Sequence, residues 1–459
     1  MVLRIGAVVA RLGAISIALG IVASGCESST EVGGPPHADA GVDAHADAGE
    51  DTAPADEHQD DARVDGVDRA DSSPPTADAG LVDRADAGPS NADAGLDAAR
   101  TDAGRDGGSD AGSTPPSDAS TDGGGTLCSA IGWCEIANTK LEAVCPRPSP
   151  GGVSGCSSVI AAWSGAAADI DNNQLYIWGG GHDDYHGNEV YALDLVALRM
   201  KRLNEPSPAS AILACDDAYT DGLPSSRHTY DALTFLPAEK ALFAFGGSKA
   251  KCGFLANDTW TFSPANLAWT PRKQGGPPSG SPGVMADFDA ASNRVLLHDS
   301  AAAFWSFDTA TNAYQRLHDN ISVDYHMTGR IDPKRQVFVM MGGGQLRAIS
   351  IAPGSSYDLM NWDSATTGCD VLRMAPSPGL AYDPAQDRLV GWAGGDDVYL
   401  FDADAKSCTK VSFPGGPGPK GPATTGQGTF GRFRYFPKLG VFVVVSDWQS
   451  NAFSLRMVL

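Results

Sequence analysis

Residues 166–195 read AAADIDNNQLYIWGGGHDDYHGNEVYALDL. Short apolar runs, rich in aromatic and β-branched residues, alternate with Asp, Asn and Gly clusters. That is the pattern of strands joined by tight turns. The first run closes on glycines at 179–181. A polar stretch, GHDDYHGN, then separates it from VYALDL. The first half of this pattern returns five times: ALTFLPAEKALFAFGG at 232–247, MADFDAASNRVLLHD at 285–299, GRIDPKRQVFVMMGG at 329–343, LAYDPAQDRLVGWAGG at 380–395 and RFRYFPKLGVFVVVSD at 432–447.

The second half also recurs. NEVYALDLVALRMKRL, NDTWTFSPANLAWTPR, AAFWSFDTATNAYQRL and DVYLFDADAKSCTKVSF each give an aromatic strand, a polar turn and a fourth short strand. Four strands every 45 to 50 residues or so, without helical periodicity, are the mark of a propeller blade. One such sheet cannot cover both of its faces, so the copies must pack side by side in a ring. The expected fold class is therefore all-β: a β-propeller of six blades, or seven if residues 126–156 or 204–227 furnish further strands. The last copy shows three strands, near 431–436, 441–446 and 452–458. GWCEIANTKL at 132–141 is expected to supply its fourth and close the ring.

The apolar strand ending in a Gly pair, followed by VYALDL, TWTFSP or FWSFDT, resembles the kelch family over roughly residues 157–459. The resemblance implies a galactose-oxidase-like propeller. DYH at 184–186 and 324–326 also resembles the Tyr–His dyad of galactose oxidase. That enzyme adds a Cys–Tyr crosslink and a further domain that this chain, ending with the propeller, is not expected to have. The expectation is against a copper-radical oxidase.

The first quarter of the chain has another character. Arg4 and Arg11 precede an apolar run, Leu12–Ala23, and then ASGC. This is the layout of a secretory signal over residues 1–25. The small residues before Cys26 resemble the lipobox of bacterial lipoproteins, which implies that Cys26 is lipidated and anchors the chain to a membrane. Glu27 after it points to the outer membrane or cell surface of a Gram-negative envelope. Residues 26–125 repeat ADAG five times and contain no Phe, Trp or Tyr. After Cys26 this stretch carries 24 acidic residues against five arginines, −19 of the chain's −23. Such a composition buries too little apolar surface to offset the entropy of ordering, so a disordered spacer is expected. An r.m.s. span of roughly 55 Å follows for a flexible chain of that length.

The remaining region, 126–459, has a net charge of −6 and neither a basic stripe nor a P-loop. Nucleic acid and nucleotides are therefore not expected as partners. Eight cysteines follow Cys26, an even number suited to disulfides in an exported chain. Sequence neighbours give Cys128–Cys134, Cys145–Cys156, Cys215–Cys252 and Cys369–Cys408 as the pairing to test among 105.

The six histidines of this region all map to loops of one face, made by the turns between strands 2 and 3 and by the blade-to-blade crossings. The opposite turns, such as DIDNNQ and DPAQD, hold none. Histidine titrates near neutrality and binds metals, so this asymmetry marks a candidate working face. His182, His186, Asn188, His228, Tyr230, Tyr325, His326 and Arg330 are its candidate ligand-binding or catalytic residues. His298 and His318 share the face, as do Asp184, Tyr185, Arg432 and Arg434. No cofactor motif is evident, and the histidines leave a metal open. Two functions follow, beside that of a purely structural or interaction propeller without a small-molecule site. One is a tethered propeller that binds a glycan or protein ligand. The other is a polysaccharide-active enzyme such as a lyase, with arginine neutralising a substrate carboxylate and a His–Tyr pair moving protons.

Overall fold

The computed structural model describes residues 126–273, 275–320, 322–417 and 428–458. The signal segment, Cys26 and the acidic repeat lie outside the described residues. No helix among those described is long and apolar enough to cross a membrane.

The described chain forms six antiparallel sheets, each one blade. Blade 1 comprises Ala166–Asp169, Gln174–Ile177, Tyr191–Asp194 and Arg199–Arg202, paired in that order. Blades 2 to 5 repeat the plan from inner strands Leu233–Leu236, Met285–Asp289, Met327–Asp332 and Gly379–Asp383. Blade 6 takes Phe433–Phe436, Val441–Val444 and Ala452–Arg456 from the C-terminal segment, and Gly132–Ile136 as its outermost strand. Trp133 pairs with Leu455 and Cys134 with Ser454, so the two ends of the described domain close the ring. The count is six. The 204–227 segment forms no seventh blade; it runs as a crossing that ends in a two-residue strand, Arg227–His228, added to blade 2.

Period-two alternation explains the core. In blade 1, Leu175 and Ile177 pack toward blade 6 with Val441 and Val443, whereas Tyr176 and Trp178 pack toward blade 2 with Phe235 and Leu242. In blade 4, Val339 and Met341 face blade 5 while Phe338 and Met340 face blade 3. Each second strand is thus apolar on both faces, which is why it reads as an unbroken hydrophobic run.

The lower turns share one device. Asp169 accepts the backbone N–H groups of Asp171 and Asn172, and Asn173 then takes a left-handed conformation. Asp289, Asp332 and Asp383 repeat this at the corresponding turns. Asp194, Asp308 and Asp402 repeat it between strands 3 and 4. These aspartates hold turns, an ordinary use of Asp.

All four expected disulfides are present: Cys128–Cys134, Cys145–Cys156, Cys215–Cys252 and Cys369–Cys408. The third ties the 204–227 crossing to the turn between strands 2 and 3 of blade 2.

Candidate functional site

The upper mouth of the central channel is ringed by the residues that lead into the inner strands. Trp163, Tyr230, Ser377 and Phe430 occupy corresponding positions in blades 1, 2, 5 and 6, and all four have positive φ. Backbone bonds link neighbours around the ring: Tyr230 N donates to Trp163 O at 2.7 Å, and Phe430 N donates to Ser377 O at 3.2 Å. Left-handed backbone is costly for Trp, Tyr and Phe, so the packing of the ring must hold it.

On this rim stands a set of rings. Trp163 lies 5.1 Å from His228, and His228 stacks on His182 at 5.5 Å with 18° between planes. Tyr230 meets His228 edge-on at 6.2 Å, and Phe430 meets Tyr230 edge-on at 6.1 Å. The glycines before His182 make this possible. A Cβ at Gly181 would strike the Arg227 and His228 backbone, so only glycine lets the turn lie against the strand that carries His228. His182 itself is exposed and left-handed, with φ of 47°. Its backbone is pinned: its N–H donates to Ser248 O, and its carbonyl accepts from Lys251.

His228 is 4 % exposed and sits 2.9 Å from Asp184, Nε2 to Oδ2. A carboxylate only accepts, so Nε2 carries the proton, and Nδ1 keeps a lone pair that no donor among the described residues takes up. Burial pushes the imidazole pKa below its usual value, and Asp184 opposes that shift. His228 is thus a neutral base oriented by a carboxylate. The Tyr230 hydroxyl lies 3.2 Å from Ser248 Oγ, and burial raises its pKa.

The other candidates fall differently. Tyr325 is 39 % exposed and its ring lies 3.8 Å from that of His326. His326 is held by Asp324 through Nδ1 at 3.1 Å. His186 does not join the stack; it pairs with Asp183 at 3.1 Å. Asn188 is fully buried, and its amide holds Ser207 and Pro224 of the long crossing, a structural task. His318 pairs with Asp358. His298 is buried, with Nδ1 accepting from Ser300 N.

Three residues expected near the histidines lie elsewhere. Arg330 is buried inside the channel, where both Nη groups hold Asp231 at 2.8 and 2.9 Å. Arg434 is also inside the channel. Arg432 donates to the carbonyls of Ser164, Gly428 and Val445 and so clamps blade 6 to blade 1. The Tyr185 hydroxyl is not available either: it and Tyr191 both donate to Glu189 Oε1 at 2.5 Å in the core. Trp163 was the residue that motif reading missed. Its only signal is its place, three residues before an inner strand, matching Tyr230 and Phe430. Among the described residues no group of three or more His, Cys, Asp or Glu side chains is arranged to hold a metal ion.

No protein-family model matches the chain, and no curated protein matches it in sequence. Similar solved structures include a protein of unknown function from Bacteroides thetaiotaomicron VPI-5482. It is 11 % identical with a TM-score of 0.45, over 71 % of this chain and 76 % of that one. TolB from Acinetobacter baumannii is 10 % identical with a TM-score of 0.36, over 55 % of each chain.

Proposed function

We propose that this protein is a tethered kelch-like propeller that binds a glycan or protein ligand at the upper mouth of its channel. The observation that carries this reading is the exposed His182 ring stacked on His228, with Trp163 behind and Tyr230 at the edge. Flat rings receive the C–H faces of a sugar or the side chains of a peptide, while Asp184, His228 and Tyr325 supply polar groups for orientation. Apolar side chains exposed on loops of the same face, Phe254 at 72 % and Leu213 at 64 %, extend the surface such a ligand would meet. Lipidation of Cys26, export across the inner membrane, and a spacer at 26–125 that stands the propeller off an outer membrane or cell surface belong to the same proposal.

The test is binding of the full chain to a glycan and envelope-protein panel. His182→Ala removes the exposed ring and abolishes binding. His182→Gly also abolishes binding while raising the melting temperature, because glycine relieves the left-handed strain. Retained binding in either variant would refute the site.

One observation favours a second reading, acid–base chemistry on an acidic polysaccharide. The Asp184–His228 pair leaves Nδ1 as a base beside the Tyr230 hydroxyl, which burial keeps protonated and able to donate, two of the three groups a β-elimination needs. Release of unsaturated sugar ends from uronate polymers, lost in His228→Ala, distinguishes a lyase from a binder.

A further inference from the structure

The channel has a second mouth, on the side opposite the histidines. There the lower halves of all six inner strands enclose a cavity of about 290 Å³. That volume suits one small molecule about the size of a sugar ring. Its wall is mainly carbon, including Phe235, Phe288, Ile331 and Pro384. Two arginines enter it, and they are not equivalent. Arg330 is neutralised by its two-pronged bond to Asp231. Arg434 is 8 % exposed, and among the described residues no carboxylate is bonded to it. Its Nη2 donates to Ala166 O at 3.1 Å, while among the described residues Nε is buried without an acceptor and Nη1 has no hydrogen-bond partner.

A buried guanidinium without a bonded counter-ion is expensive, and buried charges are normally paired. Burial, and then the like charge of Arg330, draw the Arg434 pKa down to about 9, leaving it cationic at neutral pH. Three acids line the cavity: Asp169 holds its own turn, Asp171 pairs with Lys438, and Asp287, with Asp231, opposes the downward shift of Arg434. The Asp287 carboxylate faces backbone donors, accepting from Phe288 N at 3.1 Å and Ile331 N at 3.0 Å. Each of its oxygens keeps acceptor capacity for a ligand hydroxyl.

We propose that the lower mouth binds a small hydroxylated organic carboxylate, its carboxyl group on Arg434 and a hydroxyl on Asp287. Nη2 has a second N–H, which with a neighbouring unpaired N–H leaves a planar fork that matches a carboxylate. The carbon-lined walls favour an organic skeleton over an inorganic anion, and the volume favours a free monomer over a polymer. The site is separate from the upper-face site and does not depend on it.

Calorimetric titration of the full chain with galacturonate, galactose, sulfate and tetragalacturonate tests this. Galacturonate binds, and each of the other three binds at least tenfold more weakly. Arg434→Gln weakens galacturonate at least tenfold. Asp287→Asn weakens it severalfold. Arg434→Lys keeps the charge without the fork and still weakens binding severalfold, which covers the case that the glutamine variant does not fold. The proposal falls if galacturonate gives no binding or if galactose or sulfate binds equally well. Tighter binding of the tetramer, or wild-type affinity in a folded Arg434 variant, overturns it as well.

Discussion

Asp231→Asn tests what holds the centre of the ring. Asp231 sits at the head of blade 2's inner strand and is fully buried, and Arg330 is 2 % exposed across the channel on blade 4. The carboxylate receives three donors: both Arg330 Nη groups and Gly329 N at 2.8 Å. Burial pushes the Asp231 pKa up and Arg330 opposes it, so the pair exists only because each charge has the other. The asparagine keeps the size and one acceptor. It removes the negative charge and turns an N–H₂ toward the guanidinium, leaving Arg330 uncompensated beside Arg434. Breaking a buried pair from one side costs about 3–5 kcal/mol. At about 2 °C per kcal/mol for a domain larger than 150 residues, the melting temperature falls by roughly 6–10 °C.

The assay is urea unfolding followed by tryptophan fluorescence, in a cycle with Arg330→Met. Arg330→Met alone leaves a buried carboxylate and is similarly harmful. The double variant Asp231→Asn/Arg330→Met removes both charges and recovers much of the loss, with the asparagine oxygen still able to accept from Gly329 N. A loss under about 1 kcal/mol for Asp231→Asn, or single-variant losses that simply add in the double variant, would refute the reasoning.

Glu189 carries a pH prediction. Burial raises its pKa although two tyrosines donate to it, and Oε2 has no partner among the described residues. A carboxyl group whose folded pKa lies above its unfolded value contributes stability below the unfolded pKa, and that contribution is lost as pH rises through the folded one. Glu189→Gln should therefore lose less stability than wild type between pH 5 and pH 8, read by melting temperature; parallel curves would count against it. Trp133 latches the closing strand, packing 5.9 Å from Trp392 and donating to Asp396 O. Trp133→Ala should cost about 3–5 kcal/mol in urea unfolding; under about 1 kcal/mol would mean that the latch is not needed. The Cys369–Cys408 bridge spans 39 residues, for which loop-closure entropy gives about 4 kcal/mol. The Cys369→Ser/Cys408→Ser pair should unfold at correspondingly lower urea, and an unchanged midpoint would show the crossing to be held by other contacts.

The blades were legible because strand chemistry repeats. YIWGG and LFAFGG announce second strands that are apolar on both faces, and the Asp-led turns announce the lower corners. The closing strand was legible only by arithmetic, since blade 6 was one strand short and GWCEI was left over. The site was less legible because burial sorts like residues into unlike roles. Asp184 orients a base, whereas Asp194 and Asp308 hold turns. Tyr230 stands at the mouth, whereas Tyr185 lies in the core because Glu189, four residues on, accepts its hydroxyl.

Arg330 and Arg434 show how distance along a strand defeats a reading by neighbourhood. Arg330 follows His326 by four residues, so position in the sequence groups it with the upper-face histidines. A strand advances about 3.3 Å per residue, so four residues carry the chain roughly 13 Å down the channel. Arg434 follows the rim residue Phe430 by the same interval and arrives at the same depth. Inner strands start at the upper rim and run downward in every blade. A charged residue four positions after a rim residue therefore belongs to the channel, and one at the rim belongs to the mouth. By this rule, variants of His182 and His228 should act on the upper ligand alone and variants of Arg434 on the lower one alone. Arg330, bound to Asp231, should act on the stability of both.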